Sequence, residues 1–495
     1  MTLPNILILM TDQQRWDSLG IYGAPEANTP NLDRLAKQGA RFTRCYCNNP
    51  ICTPSRASLL TGGELPDHGV MRLEDVLDDS KMMFPELLRH QGYRTALFGK
   101  QHVSSRMVEH HRRHPLDGFE IYDWCHEPAI HTDSPYNAYA RWLQKKAPAF
   151  LAELGQRGRG VGHFPSAHHA TRWTAEATMD FLKDQAGQPR PFFCMASVFD
   201  PHDPYDDYPL EYAERIPHDR IREPVPASGD DKMPAGIILE REWCYMKKKA
   251  KDAKSIRQAR LGYHASIAFI DEQFGRILDC LETTGQADNT IVIFTSDHGD
   301  MLGDHGLMAK GAFFYEPCTH VPLLMRWPAK IAAGTELDGL VQLNDIAATL
   351  TEAAQVPASV REQYMPSSLS LLPYVTVPDA GPVRDTAICA YRHTGYGSGP
   401  DGVGTYIPVS ATMLRQGDYK LCLYHDDGTG EIAAEGQLFD LAEDPEERND
   451  LWESPAHLAI KQGMIRLIEN WIDVREGGLT RFSSDSLPRH LSGSA

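Results

Sequence analysis

The chain has 495 residues, is 42% hydrophobic and carries a formal net charge of -18. That is enough chain for one large core plus a smaller domain, and the acidic balance disfavours nucleic acid or an anionic membrane surface as the main partner, because both would repel it. An anionic substrate would therefore need positive charge concentrated locally.

In chain order, the apolar run Asn5 to Thr11 predicts a buried strand that delivers Asp12 and Gln13 at its C-terminal end. Its core, Ile6 to Met10, is too short for a signal-peptide core or a membrane span, so a cytoplasmic protein is expected. Thr29 is placed to cap a helix with Pro30 at its first position, Leu32, Leu35 and Ala36 on its apolar stripe and Gly39 closing it. Pro85 to Gln91 with Gly92 repeats the formula, and a strand through Thr95 to Phe98 ends at Lys100. A helix around Trp173 to Leu182 precedes a strand Phe192 to Phe199 that ends at Asp200 and His202. Residues 201–254 show no clear period and read as a long insertion beside a site. An amphipathic helix from about Ser255 to Leu281 presents Leu261, Ala265, Ala268, Phe274, Ile277 and Leu281 on one face. The strand Thr290 to Ser296 then delivers Asp297 and His298.

Alternating strands and helices of this kind predict an α/β domain over 1–378, its large, mainly parallel sheet sandwiched by helices. Ligands of such sheets bind beyond the carboxyl ends of the strands, so the two acidic pairs can meet although far apart in sequence. After 378 the character changes. Tyr419 to Tyr424 and Gln437 to Leu441 predict antiparallel strands, and Leu458 to Val474 a terminal helix, giving a small α+β subdomain over 379–495. The ten cysteines are scattered without zinc-type pairs, which predicts reduced thiols. Among 21 histidines, His110, His111 and His114, and His168 with His169, read as solvated surface. His68, His305, Asn48 and Asn49 could reach a site at the strand ends without an assigned role.

Cys52 stands in Cys52-Thr53-Pro54-Ser55-Arg56, followed by Ala57-Ser58-Leu59-Leu60-Thr61-Gly62. This pattern resembles the signature of the type I sulfatases, in which a maturation enzyme oxidises the cysteine to formylglycine; it departs from the usual extension at Gly63, where the family often has arginine. Gly99-Lys100-Gln101-His102 resembles the family's GKxH element, Pro201-His202-Asp203-Pro204 its PHxP element, and Lys310 its second sulfate-binding lysine. The resemblance implies an alkaline phosphatase-like fold and a sulfuric ester hydrolase, arylsulfatase-like, that works through a formylglycine gem-diol and a covalent sulfo-enzyme intermediate. A second hydroxyl on residue 52 would lose a proton and expel sulfate, which a serine or cysteine cannot do. In this scheme Asp12, Gln13, Asp297, His298 and the oxidised Cys52 hold one divalent metal. Arg56 holds the diol, Lys100 bridges diol and sulfate, His102 is the base for elimination, His202 protonates the leaving oxygen and Lys310 binds sulfate.

Sulfatases commonly carry Asp-Asp and Asp-Asn where this chain has Asp12-Gln13 and Asp297-His298. Calcium is the family expectation, while the histidine nitrogen leaves manganese and magnesium open. The expected partners are a small-molecule sulfate ester and a formylglycine-generating enzyme, with no nucleic acid and no membrane; a homo-oligomer is a further option at this size. Two other readings stand beside the sulfatase. Phosphonate monoester or phosphodiester hydrolases of the same superfamily share the Asp-Gln and Asp-His shell but lack the GKxH pair, whereas choline sulfatases show that this shell suits sulfate esters. A non-catalytic anion-binding homologue would keep Cys52 as a thiol. Loops Met107 to Ser134, Pro201 to Lys254 and Tyr391 to Pro408 are the expected walls of the substrate pocket.

Overall fold

A computed structural model describes residues 3–227, 229, 233–243, 252–377, 380–392, 397–398, 404–405, 409–425 and 435–476. The expected domain boundary at 378 and most of the predicted pocket wall Tyr391 to Pro408 lie outside the described residues.

Nine strands form the main sheet: β1 (Asn5–Thr11), β2 (Ala40–Tyr46), β3 (Arg94–Gly99), β4 (Ile121–Trp124), β5 (Phe192–Ser197), β6 (Thr290–Ser296), β7 (His320–Arg326), β8 (Thr335–Leu337) and β9 (Val341–Gln342). Their order is β4-β3-β5-β1-β6-β7-β2-β8, with β9 also on β2. β7 runs antiparallel to both its neighbours, and the other pairings are parallel. Successive side chains of a strand point to opposite faces. Accordingly Ile6, Ile8 and Met10 join one apolar core while Leu7 and Leu9 join the other. Burial on both faces is why β1 reads as an unbroken apolar run. The second core is closed by helices Pro30–Lys37, Ala170–Gln185 and Ala253–Thr283, and the first by Cys52–Thr61, Phe84–His90 and Asp345–Ala353.

The predicted strands and helices described so far are present, Asn5–Thr11 and Thr290–Ser296 with the expected bounds and the others with end shifts of up to three residues. Two local details differ. Thr29 does not cap its helix: its Oγ1 accepts from Gly20 N (2.9 Å) and donates to Asp33 (3.2 Å). The carboxylate of Asp271, from the long helix, takes the Asn31 and Leu32 amides instead, at 3.1 and 2.8 Å. Gly39 is set by close approach, because a Cβ there would lie 2.3 Å from the Met325 carbonyl of β7. The insertion 201–254 is also more structured than its sequence suggests, holding 3-10 turns at Leu210–Arg215 and His218–Arg220 and a helix Ala235–Trp243.

Beyond the main sheet, β10 (Thr386–Arg392), β13 (Ser410–Gln416), β14 (Tyr419–His425) and β15 (Glu435–Asp440) form an antiparallel sheet, and β11 (Gly397–Ser398) pairs with β12 (Gly404–Thr405). One face of the four-stranded sheet, through Cys389, Met413, Cys422 and Phe439, joins the first core. The other packs Leu414, Leu421, Leu423 and Leu438 on Met464, Ile468 and Ile472 of the terminal helix Leu458–Glu476. Among the described residues no helix is long and apolar enough to cross a membrane.

Candidate active site

Parallel register brings the motif residues together. Thr11 pairs with Ser296 and Gly99 with Ser197, so Asp12, Asp297, Lys100 and the segment leading to His202 leave neighbouring strands at the same sheet edge. Cys52 is the first residue of a ten-residue helix that is buried throughout. Ser55 ties this helix to the edge, donating from Oγ to the Asp297 carbonyl at 2.6 Å.

Arg56 is fully buried and spans four strand ends. Its Nε donates to Asp297 (2.6 Å) and Nη2 to Asp12 (2.9 Å), and Nη1 donates to the Lys100 carbonyl and Ser197 Oγ, both at 3.0 Å. A guanidinium has five N–H groups, so one is left for anything else. The Lys100 ammonium meets the same Asp12 oxygen at 2.7 Å. Lys310 Nζ lies 3.1 Å from Cys52 Sγ, 2.8 Å from His202 Nε2 and 3.2 Å from His298 Nε2.

The site thus sets three buried cations against two carboxylates and a thiol. Burial opposes ionisation of Asp12, but Lys100 and Arg56 outweigh it and hold the carboxyl well below its usual range. Burial likewise opposes ionisation of Cys52, and Lys310 and Lys100 outweigh it, so the thiol is driven well below its ordinary value. A helix N-terminus adds to that bias. His102 is pushed down to about 3 by burial and then by Lys100, so it is a neutral imidazole. Its Nε2 pairs with Thr53 Oγ1 at 3.0 Å, and its backbone has φ 58°.

The donor set fits a divalent cation. Asp12, Cys52, Asp297 and His298 each offer a ligand atom within 4.8 Å of the others. Asp12 Oδ1 and Gln13 Oε1 are buried and accept no hydrogen bond from the protein. The Gln13 amide is oriented by Asp300, which accepts from Nε2 at 2.6 Å and leaves the carbonyl oxygen free to ligate. His298 gives its Nδ1 proton to the Gly299 carbonyl at 2.9 Å, which keeps a lone pair on Nε2. A cation and the Lys310 ammonium cannot both use that lone pair.

All ten motif residues therefore gather at one edge. Four other residues that could have joined them do not: His68 bonds Ser58 (2.9 Å), His305 stacks on Tyr315 (3.9 Å), and Asn48 and Asn49 bond Asn344 (3.2 Å) and the Ala390 carbonyl (2.7 Å). Of the histidine-rich stretches only His111 is exposed. His114 and His169 are buried, His169 because its ring caps helix Ala170–Gln185 by accepting from Thr171 N at 3.3 Å. Sequence reasoning missed Asp300, although it stands three residues after Asp297. It also missed Glu109, whose carboxylate accepts from His102 N, Val103 N and Ser104 N (3.0, 2.7 and 3.2 Å) and shapes the loop after Lys100. Pro204, Tyr205, Gln258 and Met308 line an adjoining cavity of about 540 Å³, two residues from His202 and Lys310.

Residues 4–356 match the sulfatase family. The chain belongs to that family. Residues 303–473 also match the C-terminal region of N-sulphoglucosamine sulphohydrolase. This sulfatase is 29% identical to an arylsulfatase of Clostridium perfringens over 96% of each chain. It is 30% identical to a choline-sulfatase of Rhizobium meliloti, over 91% of this chain and 83% of the relative. In structure it resembles a phosphonate monoester hydrolase of Silicibacter pomeroyi, with a TM-score of 0.77 at 21% identity and 96% of both chains covered. That likeness concerns the fold. The sulfatase is thus an enzyme of the sulfuric ester hydrolase class.

Proposed function

We propose that this sulfatase hydrolyses a sulfate ester with residue 52, matured from cysteine to formylglycine, as nucleophile. The observation that carries the reading is the place of Cys52: first residue of a buried helix, 3.1 Å from Lys310 Nζ, inside the cluster formed by Asp12, Asp297 and His298. Cys52 Sγ stands in for the oxygens of the matured residue.

Asp12, Gln13, Asp297, His298 and the matured residue 52 would hold one divalent metal, which supplies Lewis-acid charge to the nucleophile and a sulfonyl oxygen. The oxygen-rich set favours calcium, and the His298 nitrogen leaves manganese and magnesium open. Lys310 and Lys100 offset the charge of the sulfate. Arg56 fixes the carboxylates and, through its remaining N–H, reaches toward the diol. His202 donates Nδ1–H to the Asp203 carbonyl at 2.8 Å, so it would pass a proton from Nε2 to the leaving oxygen as the doubly protonated imidazolium. His102, neutral and with Nδ1 unpartnered, takes the proton that releases sulfate. The nine described cysteines are free thiols, which supports the cytoplasm as the compartment.

The test uses protein made beside a formylglycine-generating enzyme. The Cys52 peptide should be about 18 Da lighter than its thiol form, and kcat/KM for 4-nitrophenyl sulfate should exceed that for a matched phosphonate monoester. Cys52→Ala should reduce turnover to background. A large preference for the phosphonate, or sustained turnover by Cys52→Ala, would overturn the reading.

A further inference from the structure

β4 lies parallel to β3, with Gly99 opposite Trp124, and Cys125 N donates to the Gly99 carbonyl at 3.0 Å. The chain leaving β4 therefore emerges at the same edge as Lys100 and His102. Its next residue is His126, which no motif singled out. The side chain is 4% exposed, and its ring meets the His102 ring edge-on, centroids 4.1 Å apart at 76°. Neither ring nitrogen of His126 has a hydrogen-bond partner, and Nδ1 of His102 has none either.

Buried polar atoms are nearly always paired, so the two unpaired nitrogens of His126, on a ring that touches the base His102, mark a place for a ligand group. We infer that His126 is a substrate-binding residue that takes a hydroxyl of the group carrying the sulfate, and that the substrate is a sulfated sugar or similar polyol. This rests on the sulfatase reading above.

The alternatives fit the ring less well. Burial, with His102 and Lys100, keeps His126 neutral, so it offers one N–H and one lone pair. A second anionic group would meet that lone pair unfavourably. A quaternary ammonium would face Lys100 and Arg106, whose charges both act on His126. An aryl ring would leave both nitrogens unpaired. A hydroxyl both donates and accepts, and matches them.

The test compares glucose monosulfates with 4-nitrophenyl sulfate on the matured, metal-loaded enzyme. His126→Phe keeps the ring volume but removes both nitrogens, and His126→Gln restores a donor and an acceptor. His126→Phe should lower kcat/KM for the sugar sulfate about 10- to 100-fold more than for the aryl sulfate, with Gln recovering part of the loss. Wild type alone should prefer a glucose monosulfate to the matched cyclohexyl sulfate, a comparison that does not depend on any variant folding. Equal losses on sugar and aryl esters, no loss on either, no preference over the cyclohexyl ester, or a wild type that cleaves the aryl sulfate and no sugar sulfate would each overturn the assignment while leaving the sulfatase reading intact. Inactivity of wild type on all sulfates would sink both.

Discussion

At the scale of single residues the site is governed by how few free hydrogen-bonding positions its buried groups retain. Arg56 spends four of its N–H groups on Asp297, Asp12, the Lys100 carbonyl and Ser197, so it acts first as a brace for the carboxylates. His68 shows the same economy outside the chemistry. Its Nδ1 accepts from Val70 N at 3.1 Å, which fixes the proton on Nε2 for Ser58, and burial, then Lys81, push it down to about 3. An unfolded histidine titrates near ~6.5, so between these values only the unfolded chain binds the proton. The stability from neutral His68 is therefore fully present above pH ~6.5 and lost as pH falls toward 3. Urea denaturation across this window should show a pH slope shallower by about one proton in His68→Gln than in wild type. An unchanged slope would mean that His68 charges within the fold.

At the scale of elements, the site depends on strand ends held in register. Gly99 has φ 105°, and a Cβ there would lie 1.9 Å from the Ser197 carbonyl, the same oxygen that receives the Lys100 amide at 2.9 Å. Gly99→Ala should cost more than about 2 kcal/mol of stability and displace Lys100 from Asp12. Denaturation and kcat/KM together check this; normal turnover in a stable variant would show that the β3 end tolerates movement. Much of this element was legible from sequence, since the apolar run to Phe98 and the lysine beyond it are local signals. The loop after it was not, because Glu109 shapes that loop through three backbone amides that carry no residue-type signature.

For the whole molecule, the antiparallel sheet is anchored to the main body by charge as well as by apolar packing. Lys420 of β14 is buried, with its ammonium 3.0 Å from Glu316 and 2.5 Å from Glu447. Burial opposes ionisation of Glu316, and Lys420 and His320 outweigh it. Tyr46 of β2 also donates to Glu316, at 3.0 Å. Glu447 is pushed up to about 7 by burial, with Glu316 adding to it and Lys420 opposing. Removing the ammonium strands a buried carboxylate, so Lys420→Ala should destabilise the protein by about 3–5 kcal/mol. Equilibrium unfolding measures this; a loss below about 1 kcal/mol would assign the docking to apolar contacts alone.

The sequence by itself determined the alternating α/β pattern, the antiparallel strands near the C-terminus and the ten residues that gather at the site. The strand and helix pattern is a local signal, an apolar run ending in an acid or a change of period, whereas the ten residues were legible because their motifs resemble those of the sulfatases. Only the tertiary structure decided the strand order β4-β3-β5-β1-β6, the antiparallel β7, the capping of Pro30–Lys37 by Asp271 in place of Thr29, and the presence of His126 beside His102. These depend on pairings between residues far apart in the chain. Register and burial create such pairings, and no local period or residue spacing encodes them.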